Sequence, residues 1–226
     1  LMKVRDLGHN LIRIGSANDG GYLSPDILGE IEDCFSPGVG KIYEFEKEIG
    51  KKKINLFLAD GTVDQKNIKI DKFDFINKNL SSKNDQNEIT LQSWIEDKSV
   101  NNNKNLLLQM DIEGSEYEVI SSTPTEYLEL FKIMIIEFHF VEKIYNRLSY
   151  NIFLSSIKKI LKSFEVSHIH PNNCQGYYNV CGEKFPTAIE ITFLRKDLCL
   201  KNEKIKKLPH KLDQKNIKEL SEVYMS

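Results

Sequence analysis

The sequence is short of the features that mark several protein classes. Its four cysteines include no C-x-x-C pair, so a zinc ribbon or a thioredoxin-type site is not indicated. The formal net charge of −2 lacks the basic excess typical of nucleic-acid binders. No apolar run approaches the ~20 residues of a membrane span, and the first residues contain no signal-peptide core. We therefore expect a cytoplasmic protein with reduced thiols, no nucleic-acid partner and no membrane span; a Cys174–Cys181 pair across a turn is the alternative.

Internal repeats and long linkers are absent as well. The 226 residues, 40% hydrophobic and 28% charged, suit one soluble globular domain. The polar segments 81–88 and 101–105 are predicted to be loops within it. An N-terminal flap is predicted over about 1–30 and a helical tail over about 200–226, with an amphipathic helix at 217–224. We expect the tail to pack on the domain edge; a partner-binding arm is the alternative.

Short apolar runs alternate with helical patterns through the rest of the chain. The predicted strands are 31–36, 54–59, 73–76, 106–110, 133–138, 164–170 and 188–194. Helices are predicted at 41–50, directly after Gly114, and at 150–162. This alternation predicts an α/β fold, a mostly parallel sheet with helices on both faces. In such sheets ligands bind beyond the carboxyl ends of the strands.

A glycine turn follows the first predicted strand. In Phe35-Ser36-Pro37-Gly38-Val39-Gly40, the glycines let the backbone approach a ligand and aim free N–H groups at it. The next strand ends at Asp60, which is 60 − 38 = 22 residues beyond Gly38. An acid at that spacing is placed to accept hydrogen bonds from a ribose. The alternative is that Asp60-Gly61 is only a turn pair.

Two acids follow the strand at 106–110. Asp111 and Glu113 would point to the same side of the exit turn, since side chains i and i+2 share a face in extended chain. They could ligate a metal, act as a general base or hold a cationic ligand. Alternatively they mark a helix N-terminus, where acidic side chains are favoured, with Ser115 and Glu118 forming a capping box.

Three of the five histidines stand at predicted strand ends. His139 ends the strand at 133–138, and His168 and His170 form an H-x-H pair before Asn172 and Asn173. Both imidazoles of an H-x-H pair share one face of a strand, which suits metal binding or proton transfer. The asparagines could orient a polar substrate or simply form a turn. The segment 16–22, which contains Tyr22, is predicted to form a turn or a flap over the site.

These pieces occur in an order that resembles a known family. DGGY, S-x-G-V-G followed by YEFE, LAD, LQMDIEGSEYEVI, IIEFH, HIHPNN and EITF are similar to the FkbM-type methyltransferases, S-adenosylmethionine-dependent O-methyltransferases. The resemblance covers residues 13 to about 194. D-I-E-G-x-E and H-I-H-x-N-N are its most specific parts, and the glycine turn is its least specific.

The resemblance implies a seven-stranded Rossmann-like fold and a set of site residues. By the resemblance, Gly38 and Gly40 would line the S-adenosylmethionine pocket, Asp60 would hold the ribose hydroxyls, and Asp111 and Glu113 would lie beside the reacting centre. Our candidate cofactor-binding residues are Pro37, Gly38, Val39, Gly40, Asp60, Gly61 and Asp111. Our candidate substrate-binding residues are Tyr22, Glu113, His168, Asn172 and Asn173. One position departs from the pattern, because many such enzymes carry an acid two residues before the first glycine and Ser36 stands here. Glu44 or Glu46 could replace that acid.

The chemistry requires removal of a proton from the methyl acceptor. A hydroxyl of a sugar, glycan or natural product is a poor nucleophile until it is deprotonated. Asp111, His139 and His170 are the candidate catalytic bases, and a divalent ion held by Asp111 and the histidines is the alternative.

Three other hypotheses compete with methyl transfer. An NAD-type oxidoreductase would share the glycine turn and Asp60, but Tyr43 stands where the third glycine of G-x-G-x-x-G belongs. A metal-dependent hydrolase could use the acids and histidines. A catalytically silent binding module is the last reading. The identity of the acceptor and the oligomeric state do not follow from the sequence.

Overall fold

The first part of the chain forms short strands outside the main sheet. The computed structural model describes residues 2–98, 105–180, 182–205 and 208–221. It begins with β1 (Arg5–Asp6), β2 (Leu11–Gly15) and β3 (Gly21–Pro25). β2 and β3 pair as an antiparallel hairpin, and every residue of β3 is buried. The predicted N-terminal flap is therefore, over these residues, a hairpin packed into the core.

Eight further elements lead to the first half of the main sheet and its outer edge. They are β4 (Asp33–Pro37), α1 (Glu44–Gly50), β5 (Asn55–Ala59), β6 (Asp74–Ile76), β7 (Asn79–Ser81), β8 (Glu88–Thr90), α2 (Leu91–Lys98) and β9 (Leu106–Met110). β4, β5, β6 and β9 run parallel, while β7 and β8 form a separate parallel pair. The strands predicted at 54–59, 73–76 and 106–110 are confirmed to within one residue.

The second half completes the sheet. Its elements are α3 (Glu116–Ser122), α4 (Thr125–Leu128), β10 (Phe131–His139), α5 (Arg147–Ile160), β11 (Phe164–Val180), β12 (Glu183–Arg195) and β13 (Glu203–Lys204). α5 begins where the Asn146 side chain accepts hydrogen bonds from the N–H groups of Leu148 and Ser149, a normal N-cap. β11 and β12 are much longer than the sequence indicates, because they continue together as a hairpin beyond the sheet.

The main sheet has seven strands in the order β11-β12-β10-β9-β4-β5-β6. β12 is inserted antiparallel between β10 and β11, and the central strands are parallel. The predicted α/β class, with a seven-stranded mostly parallel sheet, is confirmed. The strand order reverses between β4 and β9, and a ligand crevice is expected at the carboxyl ends of these two strands.

Both faces of the sheet are covered by apolar side chains. Along β10, Met134, Ile136 and Phe138 belong to the core shared with α2, α3 and α5. Ile133 and Ile135 belong to the opposite core, which includes residues of the β2–β3 hairpin and α1. All five are fully buried, and each such side chain contributes about 1.5–3 kcal/mol through removal of apolar surface from water.

Some predictions meet a different structure or lie outside the described residues. Within the tail, residues 217–221 form turns rather than the predicted helix, and 222–226 are outside the described residues. Most of the predicted loop 101–105 is also outside them. Cys174 is a free cysteine, and its predicted alternative partner, Cys181, is not among the described residues. None of the described helices is long and apolar enough to span a membrane.

Candidate active site

The glycine turn after β4 sits directly against the exit of β9. Gly38 has φ +82°, and a Cβ atom placed there would lie 1.6 Å from the carbonyl oxygen of Asp111. Only glycine permits that approach. Gly40 has φ +56°, and a Cβ there would meet nothing within 4 Å. The two glycines therefore act differently: Gly38 lets two strand exits pack together, while Gly40 borders open space.

Asp60 connects the glycine turn to the end of β5. Its Oδ2 accepts a hydrogen bond from the Gly40 N–H at 3.0 Å. Its Oδ1 accepts from the N–H groups of Thr62 and Val63 at 2.6 and 3.1 Å. Asp60 is thus held by its own turn and by the neighbouring one, with Gly61 beside it. The carboxylate still borders the cavity described next.

A cavity of about 580 Å³ opens at the point where the strand order reverses. Its volume falls in the range of small-molecule sites. Apolar lining comes from Val39, Ala59, Leu80 and Ile112. Polar and charged lining comes from Asp19, Tyr22, Glu46, Asp60, Gln109, Asp111 and Glu113. Of the residues predicted from the sequence, the cavity lining includes Tyr22, Gly38, Val39, Gly40, Asp60, Asp111 and Glu113.

The departure at Ser36 is matched by a carboxylate from the next helix. Glu46 of α1 is 3% exposed, and its Oε1 lies 2.6 Å from the Ser36 hydroxyl. Glu44, the other candidate, is exposed and pairs with Lys47. Burial raises the pKa of Glu46 to about 7, and the hydrogen bond from Ser36 opposes this shift only partly. Among the described residues, Glu46 has no salt-bridge partner.

Asp111 and Glu113 converge on His139 at the end of β10. His139 Nε2 lies 3.7 Å from Asp111 Oδ1 and 3.4 Å from Glu113 Oε2. The two carboxylates do share one side, as predicted, but the backbone is not extended: Glu113 has φ +55°. A positive φ at a non-glycine residue is uncommon and stores strain, which is typical of functional turns.

Glu116 fixes the orientation of the His139 ring. Its Oε1 lies 3.0 Å from His139 Nδ1 and also accepts hydrogen bonds from the N–H groups of Ile112 and Gly114. Glu116 is fully buried. With Nδ1 held in this way, Nε2 is directed at Asp111. Burial lowers the pKa of His139, but the hydrogen bond to Glu116 and the nearby carboxylates outweigh it, so the net shift is upward.

The predicted capping box at the start of α3 is not formed. Ser115 makes no side-chain cap hydrogen bond, and Glu118 instead contacts the Ser81 hydroxyl at 3.3 Å. Glu116 instead turns back over the D-I-E-G turn that precedes the helix, where it accepts hydrogen bonds from the N–H groups of Ile112 and Gly114.

Glu137 brings a further carboxylate to His139. Its Oε1 lies 3.8 Å from His139 Nε2 and accepts a 2.7 Å hydrogen bond from Asn172. Burial raises the pKa of Glu137 well above its usual range, and the charges of Asp111 and Glu190 add to this. Burial likewise raises the pKa of Asp111 to about 7. The site therefore holds the buried carboxyl groups of Glu116 and Glu137, the half-buried one of Asp111 and the exposed one of Glu113 around a single imidazole.

The predicted convergence of the H-x-H pair on this site is not found. His168 Nε2 lies 3.0 Å from Asp213, and His170 Nε2 lies 3.2 Å from Asn216. Asn173 bonds to the backbone of Ile217. The side chains do share one sheet face, as predicted, but this part of the face is covered by residues 208–221 of the tail. Asn172 alone of the H-I-H-P-N-N segment reaches the site, through Glu137.

Sequence reasoning missed several residues of the site. Glu137 stands two positions before His139 in a strand, so the alternation that predicts a shared face could have found it. Glu46 carried only an ambiguous signal, because Glu44 occupies the same helix. Asp19 and Gln109 gave no signal beyond a turn and a buried strand.

The sheet order, the glycine turn and the acid that ends β5 together define a class I methyltransferase fold. Residues 4–170 match the Methyltransferase FkbM domain. The chain belongs to this family of S-adenosylmethionine-dependent methyltransferases. The resemblance stated from the sequence is confirmed.

Similar solved structures were also found, and no curated protein sequence matches. Fibrillarin, a pre-rRNA processing protein from Methanococcus jannaschii, is 9% identical, with 84% of each chain covered and a TM-score of 0.43. A TehB-like methyltransferase from Corynebacterium glutamicum is 9% identical, with 73% of this chain and 80% of that chain covered and a TM-score of 0.38. A plantazolicin methyltransferase solved with S-adenosylhomocysteine is 12% identical, with 73% and 76% covered and a TM-score of 0.35.

Proposed function

We propose that this protein transfers a methyl group from S-adenosylmethionine to a hydroxyl of a sugar, glycan or small natural product. The observation that carries the proposal is the cavity between β4 and β9, which joins a cofactor-sized space to an acid–histidine pair. A family match alone would not separate an active enzyme from a silent binding module. A buried imidazole oriented by one carboxylate toward another supplies a route for a proton, which a binding module does not need.

The cavity fits S-adenosylmethionine on three observations. Gly40 borders open space, so the turn can face a ligand closely. The buried Glu46 carboxylate has no cationic partner among the described residues, and a ligand ammonium would supply one. Asp60 borders the cavity at the other side of the glycine turn and is assigned the ribose hydroxyls. Val39, Ala59 and Leu80 form apolar walls suited to a planar base.

The acceptor is assigned to the Asp111 side of the cavity. S-adenosylmethionine supplies an activated methyl group there. Asp111 or His139 accepts the proton of the acceptor hydroxyl, while Glu116 holds the imidazole in one tautomer through Nδ1. Tyr22, Glu113 and Asn172 are assigned to acceptor orientation, Asn172 through Glu137. His168, His170 and Asn173 are reassigned to holding the tail, because their partners lie there.

Two measurements test this function. Isothermal titration with S-adenosylhomocysteine should show binding to one site, and labelled S-adenosylmethionine should give methyl transfer to a member of a sugar and glycan panel. Asp111→Asn and His139→Gln should each lower the rate by about 10²–10⁴-fold, the usual contribution of a general base, and leave S-adenosylhomocysteine binding close to wild type.

Glu118→Gln is the matched control, because Glu118 lies on the same turn-and-helix segment but contacts Ser81 rather than His139. Its rate should equal that of wild type. Failure of the folded protein to bind S-adenosylhomocysteine would refute the cofactor assignment. Full activity of both Asp111→Asn and His139→Gln would refute the base assignment.

A further inference from the structure

Three ligand atoms surround a small space beside the central cavity. His139 Nε2 faces Asp111 Oδ1 at 3.7 Å and Glu137 Oε1 at 3.8 Å. The atoms offered by these three residues all lie within 4.8 Å of one another. We call Asp111, Glu137 and His139 the His139 cluster. The Glu113 carboxylate lies 3.4 Å from His139 Nε2 but is 76% exposed, and it stands outside the cluster.

The distances in the cluster are too long for direct hydrogen bonds and suit a shared central ion. Both N···O separations exceed 3.5 Å, beyond the range of a hydrogen bond. Ligands held at about 2.1 Å around a tetrahedral ion lie about 3.4 Å from one another, and slightly larger coordination spheres spread them further. The observed separations fall at or just above that value.

Two independent features point to a ligand in this space. Asp111 Oδ1 is a buried oxygen without a hydrogen-bond partner, although it faces the imidazole. His139 also has the second-shell arrangement of metal-binding histidines, in which a carboxylate holds Nδ1 and leaves Nε2 free for the ion. Glu137 is held in turn by Asn172, so a second ligand is oriented by a neighbour. A surface group of acids would show neither feature.

We propose that the His139 cluster binds one divalent cation, through His139 Nε2 with Asp111 and Glu137 as oxygen ligands. Two carboxylates and one imidazole form a mixed oxygen and nitrogen set, which Mn²⁺ accepts among the divalent ions. Because Asp111 also lines the central cavity, the cation can be reached from it. The role of the cation rests on the proposed function. The cation would bind the acceptor hydroxyl and lower its pKa, so that the proton leaves more easily.

Metal binding is measured directly, without reference to activity. The whole protein is treated with EDTA, dialysed and titrated with Mn²⁺, while electron paramagnetic resonance reports the free ion. Wild type should bind close to one ion per chain. Glu137→Gln, which keeps the acceptor for Asn172, and Asp111→Asn should each weaken binding by about tenfold or more. Glu116→Gln should weaken it less, since Glu116 offers no ligand atom and acts through the His139 ring and the turn after Asp111.

Glu190→Gln is the matched control. Glu190 is the neighbour of Glu137 across β10 and β12 and is equally buried, but it bonds to Asn216 rather than to His139. It should still bind close to one Mn²⁺ per chain, because the variant removes a neighbouring charge but no ligand atom. If circular dichroism shows that Glu137→Gln is unfolded, Asp111→Asn, at a more exposed position, tests whether the cluster binds Mn²⁺.

Two results would overturn the inference: wild type that binds none of Mn²⁺, Mg²⁺ or Zn²⁺ at about 1 mM, or folded ligand variants that bind Mn²⁺ as tightly as wild type. A parallel titration with S-adenosylhomocysteine in EDTA separates this from failure of the proposed function. If the protein binds the cofactor but no metal, only the proposed cation site is refuted. Metal binding without cofactor binding supports the cation and refutes the methyl-transfer assignment.

Discussion

At the scale of single residues, Glu46 is the buried acid that we propose in place of the one missing at Ser36. Ser36 cannot carry a charge, yet its hydroxyl lies 2.6 Å from the Glu46 carboxylate. Glu46 belongs to the helix after the strand and lines the same cavity as the glycine turn. Burial raises the pKa of Glu46, and the charge of Glu44 adds to this shift. Burial therefore favours the protonated form of Glu46.

We predict that cofactor affinity depends on the ionisation of Glu46. Its pKa is raised to about 7 in the free protein, and a ligand ammonium would favour the charged form. Below pH 7 the carboxyl must first lose its proton, so affinity for S-adenosylhomocysteine should rise by about tenfold from pH 6 to pH 8. Titrations in buffers of different ionisation enthalpy should show proton release on binding near pH 6.5.

The neutral variant isolates this effect. Glu46→Gln should bind more weakly at pH 8 and lose most of the pH dependence. Glu44→Gln is the control, because Glu44 lies on the same helix but is exposed and paired with Lys47. It should keep the pH dependence, with its midpoint slightly lower because the Glu44 charge contributes to the raised pKa of Glu46. An unchanged pH profile in Glu46→Gln would show that Glu46 does not face the ammonium.

At the scale of elements, the site depends on two strand exits that pack against each other. The turn after β4 and the turn after β9 meet where Gly38 approaches the carbonyl of Asp111. That contact positions the backbone of Asp111, while Gly40 shapes the cavity wall and donates its N–H to Asp60. The two glycines of one short motif should therefore respond differently to the same substitution.

We predict that Gly38→Ala mainly lowers stability and Gly40→Ala mainly lowers binding. The added methyl group at Gly38 must displace backbone, which should reduce the free energy of unfolding by about 3 kcal/mol or more. At Gly40 the added group meets open space, and only the positive φ costs about 1–2 kcal/mol. Urea unfolding and S-adenosylhomocysteine titration measure the two effects.

Gly29→Ala serves as the reference, since Gly29 has an ordinary φ and nothing within 4 Å of the added atom. Its stability and binding should stay close to those of wild type. Equal destabilisation by Gly38→Ala and Gly40→Ala would contradict the division of roles.

The sequence predicted elements better than contacts between them. Apolar runs predicted the central strands of the main sheet because β4, β9 and β10 are buried on both faces. The end of β11 could not be placed, since its exposed hairpin carries no apolar run. The partners of His168 and His170 could not be predicted from the sequence either, because they come from a turn about 45 residues later whose composition is merely polar. Asp111 with His139 could be anticipated, because both follow parallel strands and parallel strands end at one edge.

At the scale of the whole molecule, the tail and the N-terminal loop are joined across one face of the sheet. The Asp19 N–H donates to the Asn216 carbonyl, and the Asn216 side chain donates to Glu190 and accepts at the His170 ring. Burial raises the pKa of Glu190 to about 7. Asn216 therefore satisfies several buried polar groups at once, and it lies next to the loop that borders the central cavity.

We predict that Asn216→Ala increases local opening of both the tail, residues 208–221, and the loop at residues 16–19. Glu190 and His170 would lose a buried hydrogen-bond partner, which should lower the free energy of unfolding by about 1–3 kcal/mol. The amide of Asp19 should then exchange its hydrogen faster, because its acceptor is the backbone of the same tail residue. Hydrogen exchange read by mass spectrometry over residues 16–19 measures this, with the exposed Asn151→Ala on α5 as the control.

The same variant distinguishes a tail that only adds stability from a tail that also holds the loop beside the cavity. If the tail only adds stability, exchange should rise across 208–221 and in β11 while residues 16–19 keep their wild-type rates. If it also holds the loop, residues 16–19 should follow the tail. Because Asp19 borders the cavity, the second result predicts weaker acceptor binding with cofactor affinity nearly unchanged. Wild-type exchange at residues 16–19 in a folded Asn216→Ala protein would show that the loop is held independently of the tail.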